Sequence, residues 1–391
     1  MNSAGNISAM TRWTNTILIG LFMTMLWLPM LDSVFHFDWA PPSTENRAMA
    51  SFPKPPAGWR QLQTYVAGLE AYFNDHFGCR RCLVQWFNKV RWSVFKVGNA
   101  SEVLVGKDGW LFYTHAQMID NYTGFLQFTP ERLHEWKVLL EKRRDWLARR
   151  GIAYLFVVTA DKHTVYPEEL PDWVKKVRPQ TKLDQFVAYM RTNSTVPVLV
   201  QRDVLVRVKQ TLPTYPTYYK TDVHWNAFGG FVAYQELMKT LAQQRPGLEP
   251  LPLDTFTFTN VIPAHGELAK GGDMAKILGL QMTESNYFEL TPNVELPNFT
   301  TQQPSFEHVH DPRCTVNPQA KGRMVVFHDS FGLSWMPYLG YHFNQINYFW
   351  QYDLNPAVVE QYKPDIVINE MNERFFNTEN PVKLMAKEGL N

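Results

Sequence analysis

Apolar residues follow two different spacings along this chain, and the spacing changes with position. Between residues 59 and 97 they recur every three or four positions, as Leu62, Tyr65, Val66 and Leu69 do, which predicts amphipathic helices. Beyond residue 150, short and nearly continuous apolar runs alternate with helical patterns. That change of spacing indicates that a helical N-terminal part precedes an α/β region.

The α/β region contains five apolar runs that we predict to be strands: Ala153–Thr159, Val196–Val200, Met324–Phe327, Asn344–Trp350 and Ile366–Asn369. Helical patterns separate or flank them at residues 130–150, Lys182–Asn193, Ala227–Leu241, after Ser330, and at Pro356–Tyr362. Strands that are apolar on both sides and alternate with helices are typical of a parallel sheet covered on both faces. We therefore predict a three-layer α/β/α domain with about five parallel strands.

The N-terminus carries an uncharged apolar run, Trp13–Met30, long enough to cross a bilayer with its Trp residues at the interfaces. Arg12 precedes the run and only acidic residues follow closely, so we predict a single-pass anchor in a bacterial inner membrane with the catalytic domain in the periplasm. A cleaved signal peptide is the alternative. The predicted organisation is an anchor at 1–37, a Pro-rich linker at 38–58, and a catalytic domain at 59–391 that begins with an extension at 59–129.

Composition narrows the classes of function. The 391 residues carry 38 basic and 37 acidic side chains, a balance that gives no support to a nucleic-acid-binding protein. The three cysteines, Cys79, Cys82 and Cys314, lack the paired spacing of a zinc site, and the histidines show no metal-binding spacing. We predict neither a metal nor a cofactor, and the spacing leaves open whether any cysteine pair forms a disulfide.

Two short motifs carry candidate chemistry: Thr221–Asn226, which reads TDVHWN, and Val325–Gly332, which reads VVFHDSFG. Ser330 follows a predicted strand directly, at the sheet edge where α/β proteins bind ligands. His224 could act as its base and Asp222 could orient the imidazole, which together would make an activated nucleophile. The alternative is that Asp222 only caps the helix that starts near Ala227.

Four further residues are candidate substrate contacts at the same edge. Lys162 and His163 follow the strand that ends near Thr159. Trp225 could stack on a sugar ring, although a packing role is the alternative. Arg374 follows the last strand and could contact the substrate or form an ion pair that fixes the edge.

An ordered set of segments resembles the SGNH-like acetyltransferases of the alginate O-acetylation type, the family that includes AlgJ, AlgX and the proteins named for a D-H-H-W motif. The segments that carry the resemblance are Glu45–Ala48, Phe52–Pro56, Tyr72–Gly78, Val105–Tyr113, Asp161–Glu168, Thr221–Asn226, His328–Gly332 and Asn372–Arg374.

The resemblance implies an SGNH-hydrolase-like fold with a permuted order, because the Asp-x-His motif precedes the serine. It implies that Ser330 is the nucleophile, His224 the base and Asp222 the orienting residue. His328 departs from the pattern, since SGNH enzymes usually have Gly there. The backbone N–H of Ser330 is the expected oxyanion donor, and a second donor is not identified. The short segment after Arg374 implies similarity to single-domain, membrane-anchored members.

The implied activity is transfer of an acetyl group, through an acyl-serine, to hydroxyls of an exported polysaccharide. A polytopic membrane-bound O-acyltransferase is the implied acetyl donor. Two alternatives remain: a carbohydrate esterase with the same triad, and a non-catalytic subunit of a modification complex. Intact Asp222, His224 and Ser330 argue against the last.

Overall fold

A computed structural model of the chain describes residues 3–35, 37, 49–90, 102–266, 268–302 and 310–390. The chain divides into two compact units. One comprises residues 1–99 with 276–280, and the other comprises residues 100–275 with 281–391.

The first unit is helical. Among its described residues the α-helices are α1 (Ser3–Phe35), α2 (Leu62–His76) and α3 (Arg80–Val90). Helix α1 contains a 21-residue stretch, Trp13–Ser33, with a mean hydropathy of 1.6, and none of its residues is buried. The predicted apolar N-terminal helix is therefore confirmed. The helical pattern predicted over 59–97 forms two helices because the chain turns after Phe77, where Cys79 has a φ of 59°. Residues 91–97 and most of the predicted linker lie outside the described residues.

The second unit contains every described strand. They are β1 (Val103–Val105), β2 (Leu111–Tyr113), β3 (Ala153–Thr159), β4 (Val198–Val200), β5 (Phe256–Asn260), β6 (Phe288–Pro292), β7 (Thr300–Gln302), β8 (Arg313–Val316), β9 (Arg323–His328), β10 (Gln345–Trp350) and β11 (Ile366–Asn372). Its helices are α4 (Met118–Tyr122), α5 (Pro130–Ala148), α6 (Lys162–Val165), α7 (Lys182–Asn193), α8 (Arg202–Thr211), α9 (Ala227–Gln244), α11 (Met336–Leu339), α12 (Pro356–Tyr362) and α13 (Pro381–Glu388), while α10 (Asp273–Ile277) crosses the boundary of the two units.

The central sheet has seven strands in the order β4-β3-β11-β9-β10-β8-β7. The first five run parallel to one another, which confirms the predicted parallel sheet. Strands β8 and β7 add antiparallel to one edge and were not predicted. Most of their residues are polar, and β7 is exposed, so they lack the continuous apolar run that indicates a central strand. Two further antiparallel sheets of two strands each, β1-β2 and β5-β6, belong to the same unit.

Helices cover both faces of the sheet, which confirms the three-layer α/β/α architecture. Alternate residues of each central strand enter different cores, as expected from the two-residue period of a strand. On β3, Leu155 and Val157 pack in the core that includes α8 and α9, whereas Tyr154 and Phe156 pack in the core of α5, α7, α12 and α13. The sheet is therefore buried on both faces, and its polar edge lies at the carboxyl ends of β3, β9 and β11.

Candidate active site

Ser330 lies in a tight turn at the carboxyl end of β9. The strand ends at His328, and a short 3₁₀ turn, Gly332–Trp335, leads into α11. The helix predicted after the serine is thus a 3₁₀ turn followed by a four-residue helix. The strand residues before the turn are fully buried and fix its position, while Ser330 itself is partly exposed.

Asp222 and His224 lie at the tip of a narrow loop that precedes α9. Tyr218 and Trp225 form a β-bridge across its base, and the N–H of Tyr219 donates to the carbonyl of His224 at 3.2 Å. At the end of the loop, Asn226 caps α9 by accepting the N–H of Gly229 at 3.0 Å. The helix cap therefore does not require Asp222, whose carboxylate faces the imidazole.

The three side chains form a continuous hydrogen-bonded relay. Nδ1 of His224 lies 2.7 Å from Oδ1 of Asp222, and Nε2 lies 2.8 Å from Oγ of Ser330. Both distances are within the range of strong hydrogen bonds. The relay joins residues that are 106 positions apart in the sequence. This geometry suits an imidazole that accepts the serine proton while a carboxylate holds its other nitrogen.

The environment favours an ionised Asp222. Its side chain is 8% exposed, and burial alone would raise its pKa. The imidazole of His224 and the hydrogen bonds to the carboxylate instead hold the pKa of Asp222 well below its usual range. Oδ1 also accepts the backbone N–H of His224 at 3.0 Å, and Oδ2 accepts the N–H of Asp273 at 3.0 Å.

Gly272 allows this arrangement because a side chain there would collide with Asp222. A Cβ atom at position 272 would lie 2.3 Å from the Cβ of Asp222, far inside van der Waals contact. The loop at residues 271–273 therefore approaches the carboxylate closely enough for a backbone N–H to bond it.

Two buried acids brace the turn that holds Ser330. Asp329 accepts the N–H of Phe331 at 2.9 Å and the N–H of Asn372 at 2.9 Å, and its own N–H donates to Glu370 at 2.8 Å. Burial and the nearby Asp329 raise the pKa of Glu370 well above its usual range. No described residue accepts a hydrogen bond from the backbone N–H of Ser330, so this group is available to an oxyanion.

Lys162 and His163 lie behind the site and are each 1% exposed. The ammonium of Lys162 donates to the carbonyls of Leu111, Tyr219 and Lys220 at 2.7, 2.8 and 3.1 Å. His163 stands 5.1 Å from the ring of Phe112, and burial lowers its pKa to about 3. Both side chains thus contact protein groups in this structure.

Trp225 and Arg374 both lie close to the ring of Phe331, the residue after the serine. Trp225 is 3% exposed, has its ring 5.1 Å from Phe331, and donates its Nε1–H to the hydroxyl of Ser334. The guanidinium of Arg374 lies 5.6 Å from the Phe331 ring and 3.9 Å from a carboxylate oxygen of Asp161. His328, which replaces the usual Gly, is 2% exposed, and its Nδ1–H donates to the carbonyl of Asp329 at 2.6 Å.

One group of side chains has the spacing for a metal ion. Potential ligand atoms of Asp222, His224 and Asp273 lie within 4.8 Å of one another. The Asp222 oxygens and both nitrogens of His224 already take part in the hydrogen bonds given above. These contacts favour proton transfer over metal binding.

Sequence reasoning did not find Glu284, which is fully buried beneath the loop. Its carboxylate accepts the N–H groups of Lys220 and Thr221 at 3.0 and 2.8 Å, the Thr221 hydroxyl at 2.6 Å, and the N–H of Asn286 at 2.8 Å. Glu284 stands in a polar, irregular segment with no motif, so no local signal marks it.

Comparison with known proteins identifies relatives of this fold. Residues 103–317, more than half of the chain, match the family described as the SGNH hydrolase-like domain of the acetyltransferase AlgX. The matched region includes Asp222 and His224 and ends before Ser330.

The sequence identity between this chain and individual named relatives is about one quarter. The chain is 25% identical over 226 residues to a probable alginate O-acetylase AlgJ of Pseudomonas syringae pv. tomato, covering 53% of this chain and 55% of that protein. It is 24% identical over 231 residues to the probable alginate O-acetylase AlgJ of Pseudomonas aeruginosa, covering 58% and 52%. The chain thus spans about half the length of the curated relatives it matches.

A solved structure shows the same fold. Bacillus cereus PatB1, determined with a sulfonyl adduct, superposes with a TM-score of 0.53 at 16% identity, covering 73% of this chain and 99% of that one.

Proposed function

The chain belongs to the SGNH hydrolase-like family of the acetyltransferase AlgX, and on that premise we propose that it is a polysaccharide O-acetyltransferase that works through an acyl-serine. The observation that carries the proposal is the relay from Asp222 through His224 to Ser330, with links of 2.7 and 2.8 Å. The names of the AlgJ relatives support acetylation of a polysaccharide as the activity.

The first half-reaction would form the acyl-enzyme. Oγ of Ser330 attacks the acetyl carbonyl of the donor while Nε2 of His224 takes the hydroxyl proton. The backbone N–H of Ser330 stabilises the oxyanion of the tetrahedral intermediate. Collapse of that intermediate breaks the bond to the donor group, which leaves with the proton held by His224.

The second half-reaction would transfer the acetyl group. A sugar hydroxyl of the acceptor attacks the acetyl-serine, and His224 takes the hydroxyl proton. The bond to Oγ breaks and the proton returns to Ser330, which restores the enzyme. Throughout, ionised Asp222 stabilises the imidazolium, in line with the lowered pKa of that carboxyl group.

The acetyl donor must be available where the domain works. We propose that Trp13–Ser33 anchors the protein in a bacterial inner membrane as a single pass, with the catalytic unit in the periplasm. Cytoplasmic acetyl-CoA would then be out of reach, so a polytopic membrane-bound O-acyltransferase would supply the acetyl group. Protease protection in spheroplasts tests the orientation, since the catalytic unit should be digested only from the periplasmic side.

Incubation of purified protein with an activated acetyl ester and an oligosaccharide acceptor tests the activity. Acetylated acceptor should form faster than free acetate, and Ser330→Ala should reduce both to background. Ser285→Ala, which changes an exposed serine beside Glu284, is the control and should behave like the parent. Release of acetate alone would indicate an esterase, and full activity in Ser330→Ala would refute the proposed nucleophile.

A further inference from the structure

A buried lysine and a buried glutamate face each other across the loop that carries Asp222 and His224. Lys162 is 1% exposed and Glu284 is fully buried. No direct ion pair joins the two within the described part of the chain. Instead, each charge bonds the backbone of the segment from Tyr219 to Thr221, from opposite sides.

The hydrogen bonds fall on two consecutive peptide groups. In the first, the carbonyl of Tyr219 accepts from Lys162 at 2.8 Å, and the N–H of Lys220 donates to Glu284 at 3.0 Å. In the second, the carbonyl of Lys220 accepts from Lys162 at 3.1 Å, and the N–H of Thr221 donates to Glu284 at 2.8 Å. Since the C=O and N–H of a trans peptide point in opposite directions, each peptide dipole lies between a cation and an anion.

Burial lowers the pKa of Lys162 to about 7, and when this lysine is protonated both side chains use their full hydrogen-bonding capacity. The three N–H bonds of an ammonium match the three carbonyls that Lys162 contacts, the third being that of Leu111 on β2. Glu284 accepts four hydrogen bonds, the further two coming from the Thr221 hydroxyl and the N–H of Asn286. Buried charges satisfied this completely hold their partners in fixed positions, whereas half-satisfied ones would be costly.

The clamped segment leads directly into Asp222. The hydroxyl of Thr221 also accepts the N–H of Gly272 at 3.0 Å, and the next N–H, that of Asp273, bonds the Asp222 carboxylate. A displacement of the two clamped peptides would therefore move both the carboxylate and the backbone group that holds it.

We propose that Lys162 and Glu284 are positioning residues that clamp the two peptides before Asp222 and so align Asp222 and His224 with Ser330. The inference rests on the proposed acyl-transfer function. Neither side chain touches the reacting atoms, so the effect reaches the chemistry only through the geometry of the loop.

The test compares Lys162→Met and Glu284→Gln with Lys209→Met in the full-length protein. Lys209 is a matched control because it also donates to a backbone carbonyl, that of Val165 at 2.6 Å, but away from the loop. For an activated acetyl ester we expect kcat to fall about 100-fold in both clamp variants, as a displacement of ~1 Å does, with KM changed less than about threefold. Lys209→Met should keep the parent kcat.

A second readout does not depend on activity. The Nδ1 proton that His224 shares with Asp222 should give a far-downfield ¹H NMR signal, identified by its absence in His224→Ala. It should persist in Lys209→Met and shift or disappear in folded Lys162→Met and Glu284→Gln. The melting temperature of the double variant Lys162→Met/Glu284→Gln should fall by less than the sum of the falls in the two single variants, because the double variant leaves neither charge buried without the other.

Folded clamp variants with parent kcat and an unchanged His224 signal would overturn the proposal. Failure of both single clamp variants and of the double variant to fold would also overturn the proposal. Lys162 and Glu284 would then be needed for folding of the whole domain and not for alignment of the loop. If Ser330→Ala kept full activity, the proposed function would fall, but the NMR comparison would still report on the clamp.

Discussion

Two of the buried pairs of opposite charges in the described part of the chain are built differently. Arg143 on α5 contacts Glu388 on α13 directly, with Nε 3.1 Å from both carboxylate oxygens and side chains that are 1% and 0% exposed. Lys162 and Glu284, beneath the loop of Asp222 and His224, are separated by two peptide groups.

We infer from this difference that the direct pair stabilises the folded domain, whereas the indirect pair aligns the loop that carries Asp222 and His224. The direct pair joins two helices, and it also bonds the carbonyl of Tyr352 and the N–H of Leu354, so it fixes the C-terminal helix to the domain. The indirect pair bonds the backbone directly before Asp222. We therefore expect loss of the first to lower the free energy of unfolding, and loss of the second to lower kcat in protein that remains folded.

The largest effect should come from the relay itself. His224→Ala removes the proposed base, and we expect kcat for acetyl transfer to fall roughly 10⁴–10⁶-fold, because the members of a triad act as a unit. The melting temperature should change little, since the imidazole is partly exposed. Steady-state kinetics with calorimetry measure both. A loss of less than tenfold would remove His224 from the mechanism.

Asp222→Asn should lower kcat by about 10³–10⁴-fold, because an amide favours the wrong imidazole tautomer. The structure adds a second reason. One carboxylate oxygen accepts from the N–H and ring of His224 and the other from the N–H of Asp273, so an amide NH₂ would face a donor in either orientation.

Asp184→Asn is the matched control for this change. Asp184 also accepts backbone and side-chain donors, but in the capping box of α7, away from the site. Its variant should turn over normally. Equal turnover in Asp222→Asn and Asp184→Asn would reduce the proposed triad to a dyad.

Breaking the direct pair should change stability and leave the chemistry intact. Arg143→Met leaves Glu388 buried without its partner, which should cost about 3–5 kcal/mol of unfolding free energy. Arg150→Met is the control, since its ion pair with Glu360 is exposed and should contribute about 1 kcal/mol or less. Urea unfolding measures both losses. A lower kcat in folded Arg143→Met would contradict the inference that the Arg143–Glu388 pair affects stability alone.

The smallest expected effect is a loss of stability at acidic pH. Burial lowers the pKa of His163 to about 3, whereas the unfolded chain binds a proton there near pH 6.5. Protons therefore favour the unfolded chain, and stability should be full above pH 6.5 and fall on acidification towards pH 3. His163→Phe should flatten the fall in melting temperature between pH 6.5 and 4.5, whereas His134→Gln, on the exposed side of α5, should not. Identical slopes in all three proteins would show that His163 does not contribute.

Much of the fold could be predicted because its signals are local. The run Ala153–Thr159 and the run that ends at Phe327 are apolar at nearly every position, which only a doubly covered strand requires, and both are central strands of the sheet. The antiparallel strand Arg313–Val316, which lies between β10 and the edge strand β7, was missed because half of its residues are polar.

The sequence by itself determined which chemical groups the site could contain. Asp222 and His224 are two residues apart on one loop, and Ser330 follows an apolar strand, so the sequence indicated both the residue types and the elements beside them. It also determined the apolar N-terminal helix, because a long uncharged run needs no distant partner to be recognised.

Only the tertiary structure decided the distances and the supporting groups. Strand order brings Ser330 within 2.8 Å of an imidazole 106 residues away, and no local pattern encodes that contact. The same packing buries Lys162 and Glu284 against one loop from segments more than 100 residues apart. Whether a polar side chain meets substrate or backbone depends on which neighbours exclude water from it, and those neighbours are set by the fold as a whole.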